Sequence, residues 1–181
     1  MNLEVRYATE KDADLIADIS RETFYETFAD ENTREDMDIF LNVQFTRGKL
    51  MLEVDTPGKM FLLAEENQKI AGYAKLNETR RPANIDGNNV LELARLYVVK
   101  PMIGRGVGSF LMKKIINLAV GQGKDRLWLG VWKENKRAIE FYKKWGFEIF
   151  DECDFMLGNS LQKDWLMKKK ISLNAEQIDH G

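Results

Sequence analysis

The chain has little from which to build a covalent or metal-held scaffold. Among 181 residues there is one cysteine, Cys153, and one histidine, His180. A lone thiol forms no internal disulfide, and a lone imidazole in a polar tail leaves no His/Cys metal site. Without an adjacent base, Cys153 is also a poor acyl nucleophile and is assigned to packing. Only 3 prolines interrupt the chain. No apolar run approaches the ~20 residues of a membrane helix. Met1–Arg6 enters a strand-like pattern with no signal-peptide core, so the expectation is a cytoplasmic protein. A formal net charge of −2 argues against a nucleic-acid partner, which calls for a basic domain.

What is present is ordinary globular material: 44% hydrophobic and 31% charged residues, about one domain's worth. Residues 1–172 are expected to form that domain, and 173–181 a polar C-terminal tail. Charge is unevenly placed. Residues 1–40 carry 12 acidic and 4 basic side chains, a net of −8, whereas residues 101–146 carry 3 acidic and 10 basic ones, a net of +7. Two solvated faces would explain this; so would a basic half for a polyanion and an acidic lip for a cation.

Leu3–Tyr7 alternates like a strand, and Thr9 precedes Asp12 by three residues as in a capping box. The acidic segment 23–45 reads as helix in two pieces, broken near Asp30–Thr33. Met60–Ala64 and Ile70–Leu76 read as a hairpin around Asn67–Gln68. A strand at 91–99, a helix to about Val120, a strand at 127–132, a short helix at 135–145 and two closing strands near 147–150 and 164–170 complete an α+β pattern around one sheet.

The most informative stretch joins the 91–99 strand to the following helix: Gly104-Arg105-Gly106-Val107-Gly108-Ser109. A strand running through a glycine turn into a helix leaves several N–H groups unpaired at the positive end of the helix dipole. That suits a pyrophosphate, although a tight loop needs the same glycines. The Walker pattern needs Lys and Ser/Thr after the last glycine and finds Ser109-Phe110-Leu111. The dinucleotide fingerprint lacks its third glycine. In a second segment, Asn135-Lys136-Arg137-Ala138-Ile139-Glu140-Phe141-Tyr142-Lys143-Lys144-Trp145-Gly146-Phe147, Asn135 and Tyr142 stand seven apart. They project from nearly one helix face with the small Ala138 between them. By spacing alone Tyr142 better suits a core aromatic.

The two motifs together resemble the GNAT N-acetyltransferase superfamily over nearly the whole chain. More narrowly, the runs from Thr23 to Met37, Leu129 to Trp132 and Asp154 to Gly158 are similar to bacterial polyamine acetyltransferases of the Pai type. The resemblance implies a mixed, mostly antiparallel sheet of about seven strands, splayed between the fourth and fifth and flanked by about four helices. It implies acetyl-CoA as co-substrate and no metal. Its pyrophosphate would rest on the amides from Ile103 through Gly104, Arg105, Gly106, Val107 and Gly108 to Ser109, and its pantetheine arm on Leu96, Tyr97 and Val98. Asn135 would hydrogen-bond the pantetheine, and Tyr142 would protonate the leaving thiolate. The amide of Tyr97 or Val98 would stabilise the oxyanion.

Relatives often have Gln or Arg where Ile103 stands, a contact made here through the main chain. They commonly carry a carboxylate where this chain has Ala94. Glu92, placed by period-two alternation on the same side as Ala94 and Leu96, is the nearest candidate base. The acceptor implied is a small primary amine, with a polyamine such as spermidine or spermine favoured because Glu26 and Asp30 could steer a cation. A protein N-terminus or antibiotic amine is a second reading, and a CoA-sensing module without catalysis a third. Trp132 is the tryptophan expected near substrate. The chain is expected as a monomer or homodimer, without a nucleic-acid or membrane partner.

Overall fold

The computed structural model describes residues 1–172, so the expected tail lies outside the described residues. Seven strands form one sheet: β1 (Leu3–Tyr7), β2 (Lys59–Glu66), β3 (Lys69–Asn77), β4 (Val90–Val98), β5 (Arg126–Trp132), β6 (Glu148–Leu157) and β7 (Ser160–Lys170), in the order β1-β2-β3-β4-β5-β7-β6. All neighbours are antiparallel except β4 and β5. Five α-helices cover the sheet: α1 (Ala13–Phe28), α2 (Arg34–Ile39), α3 (Arg47–Val54), α4 (Val107–Gly121) and α5 (Lys136–Lys144). This is the expected α+β architecture. Sequence patterning left Arg47–Val54 unassigned, and it is the helix α3.

β3 is buried almost along its length because helices lie on both faces. Leu62, Ala64, Ala74, Leu76 and Leu93 point toward α4, whose Leu111, Met112, Ile115 and Ala119 are buried at helical spacing. Each such large apolar side chain contributes about 1.5–3 kcal/mol. Phe61, Leu63 and Tyr73 point the other way, toward Ile16 and Ile19 of α1. Asn67 and Gln68, both at positive φ, make the tight β2–β3 turn. In the segment 23–45, α1 runs to Phe28 and 3-10 residues Ala29–Glu31 make the break. α2 then passes into a π-helical turn, Phe40–Gln44.

Two irregularities shape the middle of the sheet. β4 and β5 pair only at Val90↔Arg126, Leu91↔Leu127 and Glu92↔Trp128, and beyond that they diverge. On its other edge β4 bulges: Leu76 faces Leu93 but Lys75 faces Arg95, leaving Ala94 as the extra residue. The bulge overturns the expected alternation. Glu92 shares a face with Arg95 and Tyr97, the face covered by α1, whereas Leu96 and Val98 pack on the α4 side.

Candidate active site

Divergence of β4 from β5 opens a split through the sheet, with a cavity on each side. The first, of about 590 Å³, is lined by Leu96, Tyr97 and Val98, by Ile103, Gly104 and Gly106–Ser109, by Asn135, and by α5 residues including Ala138 and Tyr142. The second, of about 520 Å³, lies under α1 and α3 and also reaches Leu96, Tyr97, Asn135, Ala138 and Tyr142. These shared residues mark where the two cavities meet.

At one end the first cavity reaches the N-terminus of α4. Gly104 and Gly106 adopt φ of 80° and 85°, which only glycine takes without strain, and Gly106 caps α4. The first helical bond is donated by Phe110 to Gly106 O, at 3.0 Å. Ahead of it, the amides of Gly104, Gly106, Val107, Gly108 and Ser109 have no hydrogen-bond partner among the described residues. A Cβ on Gly106 would meet nothing within 4 Å, so the positive φ, not crowding, requires glycine there. Lys100 and Arg137 also line this cavity, and a Cβ on Gly104 would lie 4.0 Å from the Arg137 guanidinium. Neither cation was singled out from sequence, because only the fold brings 137 to 104. Arg105 lines neither cavity; its guanidinium donates to Met102 Sδ at 3.2 Å.

Along the split, β4 offers free main-chain groups. Val99 donates to Ala71 O at 3.0 Å. By the alternation of an antiparallel ladder Tyr97 also turns its amide toward β3, and Leu96 and Val98 turn theirs into the split. Of the two amides expected to face an oxyanion, that of Val98 has the required direction. Asn135 is the N-cap of α5, its Oδ1 accepting from the Ala138 amide at 3.2 Å. Tyr142 is buried against Phe141 and Phe147, its hydroxyl makes no hydrogen bond among the described residues, and burial pushes its pKa up.

The second cavity is aromatic and charged. Phe24, Phe28, Phe40 and Phe45 form one wall, with rings of Phe24 and Phe40 stacked at 4.2 Å. Trp132 meets Phe28 at 5.2 Å and lines this cavity. Glu92 is buried; Arg80 Nη1 lies 3.4 Å from its Oε2, which has no hydrogen-bond partner among the described residues. Burial raises the Glu92 pKa against the pull of Arg80, Lys75 and Arg95. Asp164, opposite Trp132 on β7, has a buried Oδ1 with no partner among the described residues, and burial pushes its pKa up to about 6. A Cβ on Gly130 would stand 3.5 Å from Asp164 Oδ2, so that glycine leaves the carboxylate open. Cys153 also lines this cavity, its thiol pushed up chiefly by burial. Glu26 lines the first cavity, not this one, and Asp30 lines neither.

The family follows from comparison with known proteins. A model of the acetyltransferase (GNAT) family matches residues 13–147. An uncharacterized N-acetyltransferase of Lactobacillus delbrueckii subsp. lactis is 36% identical over 170 residues, covering 93% of this chain and 98% of its own. The chain belongs to the GNAT family and is an acetyl-CoA-dependent N-acetyltransferase. The spermidine N(1)-acetyltransferase of Thermoplasma acidophilum is 22% identical, with 94% of this chain and 98% of its own covered. The crystal structure of PaiA N-acetyltransferase from the same organism, in complex with coenzyme A, shares the fold with a TM-score of 0.74. It is 24% identical and covers 94% of this chain and 99% of its own.

Proposed function

We propose that this chain transfers an acetyl group from acetyl-CoA to a primary amine by direct attack within a ternary complex. The observation that carries this is the meeting of an anion-binding cavity and an acceptor cavity at one tyrosine, across a split in the sheet. The five unpartnered amides fit the pyrophosphate of CoA, with Lys100 and Arg137 beside it. The Leu96 and Val98 amides fit the pantetheine arm as an added strand would, and Asn135, which lines the cavity, offers Nδ2, without a hydrogen-bond partner among the described residues, as a donor. Bound there, acetyl-CoA supplies an acetyl group activated as a thioester.

Glu92 takes the proton of the incoming ammonium, directly or through water; its raised pKa makes it a stronger acceptor than a surface carboxylate. Attack forms the C–N bond and opens the carbonyl to a tetrahedral oxyanion facing the Val98 amide, and its collapse re-forms the carbonyl as the C–S bond breaks. Tyr142 donates its proton to the departing sulfur. Burial keeps the phenol protonated until charge develops on sulfur, and the phenolate left by the donation regains a proton from the nitrogen, which sheds its second one as the amide forms.

Replacing Tyr142 by Phe keeps the ring and its packing and removes the proton. Thiol release should fall about 10²–10⁴-fold in kcat, with little change in KM for acetyl-CoA, since the contact strengthens only as charge develops. Full activity at saturating amine would return Tyr142 to the core. A polyamine acceptor is the second reading. It is supported by the likeness to the Thermoplasma spermidine acetyltransferase and by Glu92, Asp154 and Asp164 on the acceptor cavity.

A further inference from the structure

Asp164 stands between the split and the aromatic wall of the acceptor cavity. By strand register Trp132, Asp164 and Cys153 are cross-strand neighbours on β5, β7 and β6, and Phe155 follows on the same face of β6. Such neighbours lie about 5 Å apart. Phe28 meets Trp132 at 5.2 Å and Phe40 meets Phe155 at 5.8 Å, so the wall begins beside the Asp164 carboxylate. In the other direction Asp164 leans over Gly130, its Oδ2 3.5 Å from where a Cβ would stand. The Tyr97 phenol is pushed up by burial first, then by Tyr73 and Tyr142, and also by Asp164. Asp164 is therefore within electrostatic reach of a residue that lines both cavities. Its buried Oδ1 has no partner among the described residues, and a buried carboxylate calls for one.

The other charges of this cavity are matched. Glu53 receives Arg95 at 2.9 and 3.0 Å and Lys75 at 3.1 Å, Arg80 lies 3.4 Å from Glu92, and Asp154 pairs with Lys163. With Asp164 ionised, Glu53, Glu92 and Asp164 balance Lys75, Arg80 and Arg95, and no negative charge is left over. One ammonium can settle on Asp164; the further ammonium groups of a polyamine would meet cations or the wall. The wall is poorly placed to hold them. Phe24 stacks on Phe28 and on Phe40 at 4.3 and 4.2 Å, and Phe45 carries Arg95 at 4.8 Å, so the ring faces that would draw a cation are covered.

Resting on the N-acetyltransferase reading, we propose that the acceptor is a monoamine with an apolar or aromatic tail: its ammonium docks on Asp164 beside the split, and its tail lies along Trp132, Phe155 and the phenylalanines behind them. Asp164 then decides specificity, a role apart from that of Glu92, which takes the proton.

The test uses amines matched in length. Pentylamine and putrescine differ only in a terminal methyl or ammonium group; 2-phenylethylamine and spermidine extend the comparison. Thiol release from acetyl-CoA should show kcat/KM about tenfold or more higher for pentylamine than for putrescine, and for phenylethylamine than for spermidine, since a second ammonium is desolvated without a partner. Putrescine offers two reactive ends and gives up a proton more readily, so the preference cannot come from the nucleophile. Asp164→Asn should raise KM for pentylamine about tenfold or more, the size of a charge-assisted contact, with kcat little changed. In the wild type that KM should climb as the pH falls through about 6, where Asp164 takes up its proton. Tyr97 from β4 and Cys153 from β6 lie in the field of Asp164, both pushed up by burial, and Arg80 and Asp154 act on Cys153 in turn. Glu92 also titrates in this cavity, so the control is Asp164→Asn, in which the climb should vanish. A pentylamine-to-putrescine ratio near one or below it overturns the proposal. So does an Asp164→Asn variant whose KM is unmoved, or one that loses kcat alone, which would make Asp164 the proton acceptor. Absence of thiol release with every amine, despite CoA binding, would instead overturn the acetyltransfer reading and this proposal with it.

Discussion

Asp164 shows how a single side chain can trade stability for a site. Its carboxyl is pushed up to about 6 because burial penalises the charged form and, among the described residues, Oδ1 has no partner to offset it. The folded state therefore holds this proton more tightly than the unfolded chain does. Its ionisation costs stability fully above about pH 6, and the cost is gone below about pH 4. Asp164→Asn should raise stability near neutral pH by about 1–2 kcal/mol, allowing for partial exposure, and have little effect in acid. Chemical denaturation at the two pH values checks this; equal stability at neutral pH would mean that the carboxylate has a partner. Alternation along β4 was the corresponding misreading from sequence. Leu91-Glu92-Leu93-Ala94-Arg95-Leu96 gives no local sign of a bulge, because nothing in an alanine marks it as the extra residue. The bulge exists because β3 fixes the register on both sides of it, and it delivers Glu92, Arg95 and Tyr97 together to the acceptor face.

At the level of elements, the α4 N-terminus was the most legible part of the site, since glycines at 104, 106 and 108 state a local backbone requirement. Their requirements differ. Gly106 needs its φ of 85° and has open space around it, whereas a Cβ on Gly108 would make ordinary contact with the Phe141 ring at 3.5 Å. Gly106→Ala should therefore cost about 1 kcal/mol of stability through backbone strain and leave CoA affinity nearly intact. Gly108→Trp should spare the fold and abolish CoA binding, because the indole fills the path beside the free amides. Calorimetry with CoA and a melting curve on each variant separate the two effects; unchanged affinity in Gly108→Trp would place the anion site elsewhere. The motif helix α5 was equally readable, with Asn135, Ala138 and Tyr142 on one side as their spacing required. Helix α3 was not, since Arg47-Gly48-Lys49-Leu50-Met51-Leu52-Glu53-Val54 is short and only weakly patterned. Its Leu50 is buried, but Leu52 is 76% exposed. Missing α3 hid Glu53, and with it the charge arrangement of the acceptor wall.

Across the whole molecule, part of the charge asymmetry of the sequence resolves into structure. Asp12 binds Arg6, Asp14 and Asp18 share Arg47, and Asp36 accepts from the Asn159 amide at 2.8 Å. Such pairs cannot be foreseen from a sequence, because their partners stand up to 123 residues away. The Asp36 contact belongs to a clamp that holds the acceptor cavity together. One part of the cavity comes from α1 and the turn after α2, another from the β6–β7 hairpin, and the hairpin tip is pinned to the helical segment. Gly158 donates to Gln44 Oε1 at 3.2 Å, and Gln162 donates to Asn32. Gly158 itself, at φ 61°, lies so close that a Cβ would stand 2.5 Å from Asp36 Cα and 2.6 Å from its carbonyl oxygen. No side chain fits between two backbones at that distance, so Gly158→Val must lift the tip away. The lift would carry Phe155 and Asp164 with it, both lining residues of the acceptor cavity, while β4, α4 and α5 stay in place. Gly158→Val should therefore raise KM for the amine severalfold or more with KM for acetyl-CoA little changed, and lower stability by about 1–3 kcal/mol through steric displacement. Steady-state kinetics with each substrate varied in turn provides the check. Equal rises in both KM values would mean that the hairpin and the CoA cavity move as one body, and that the split in the sheet does not isolate them.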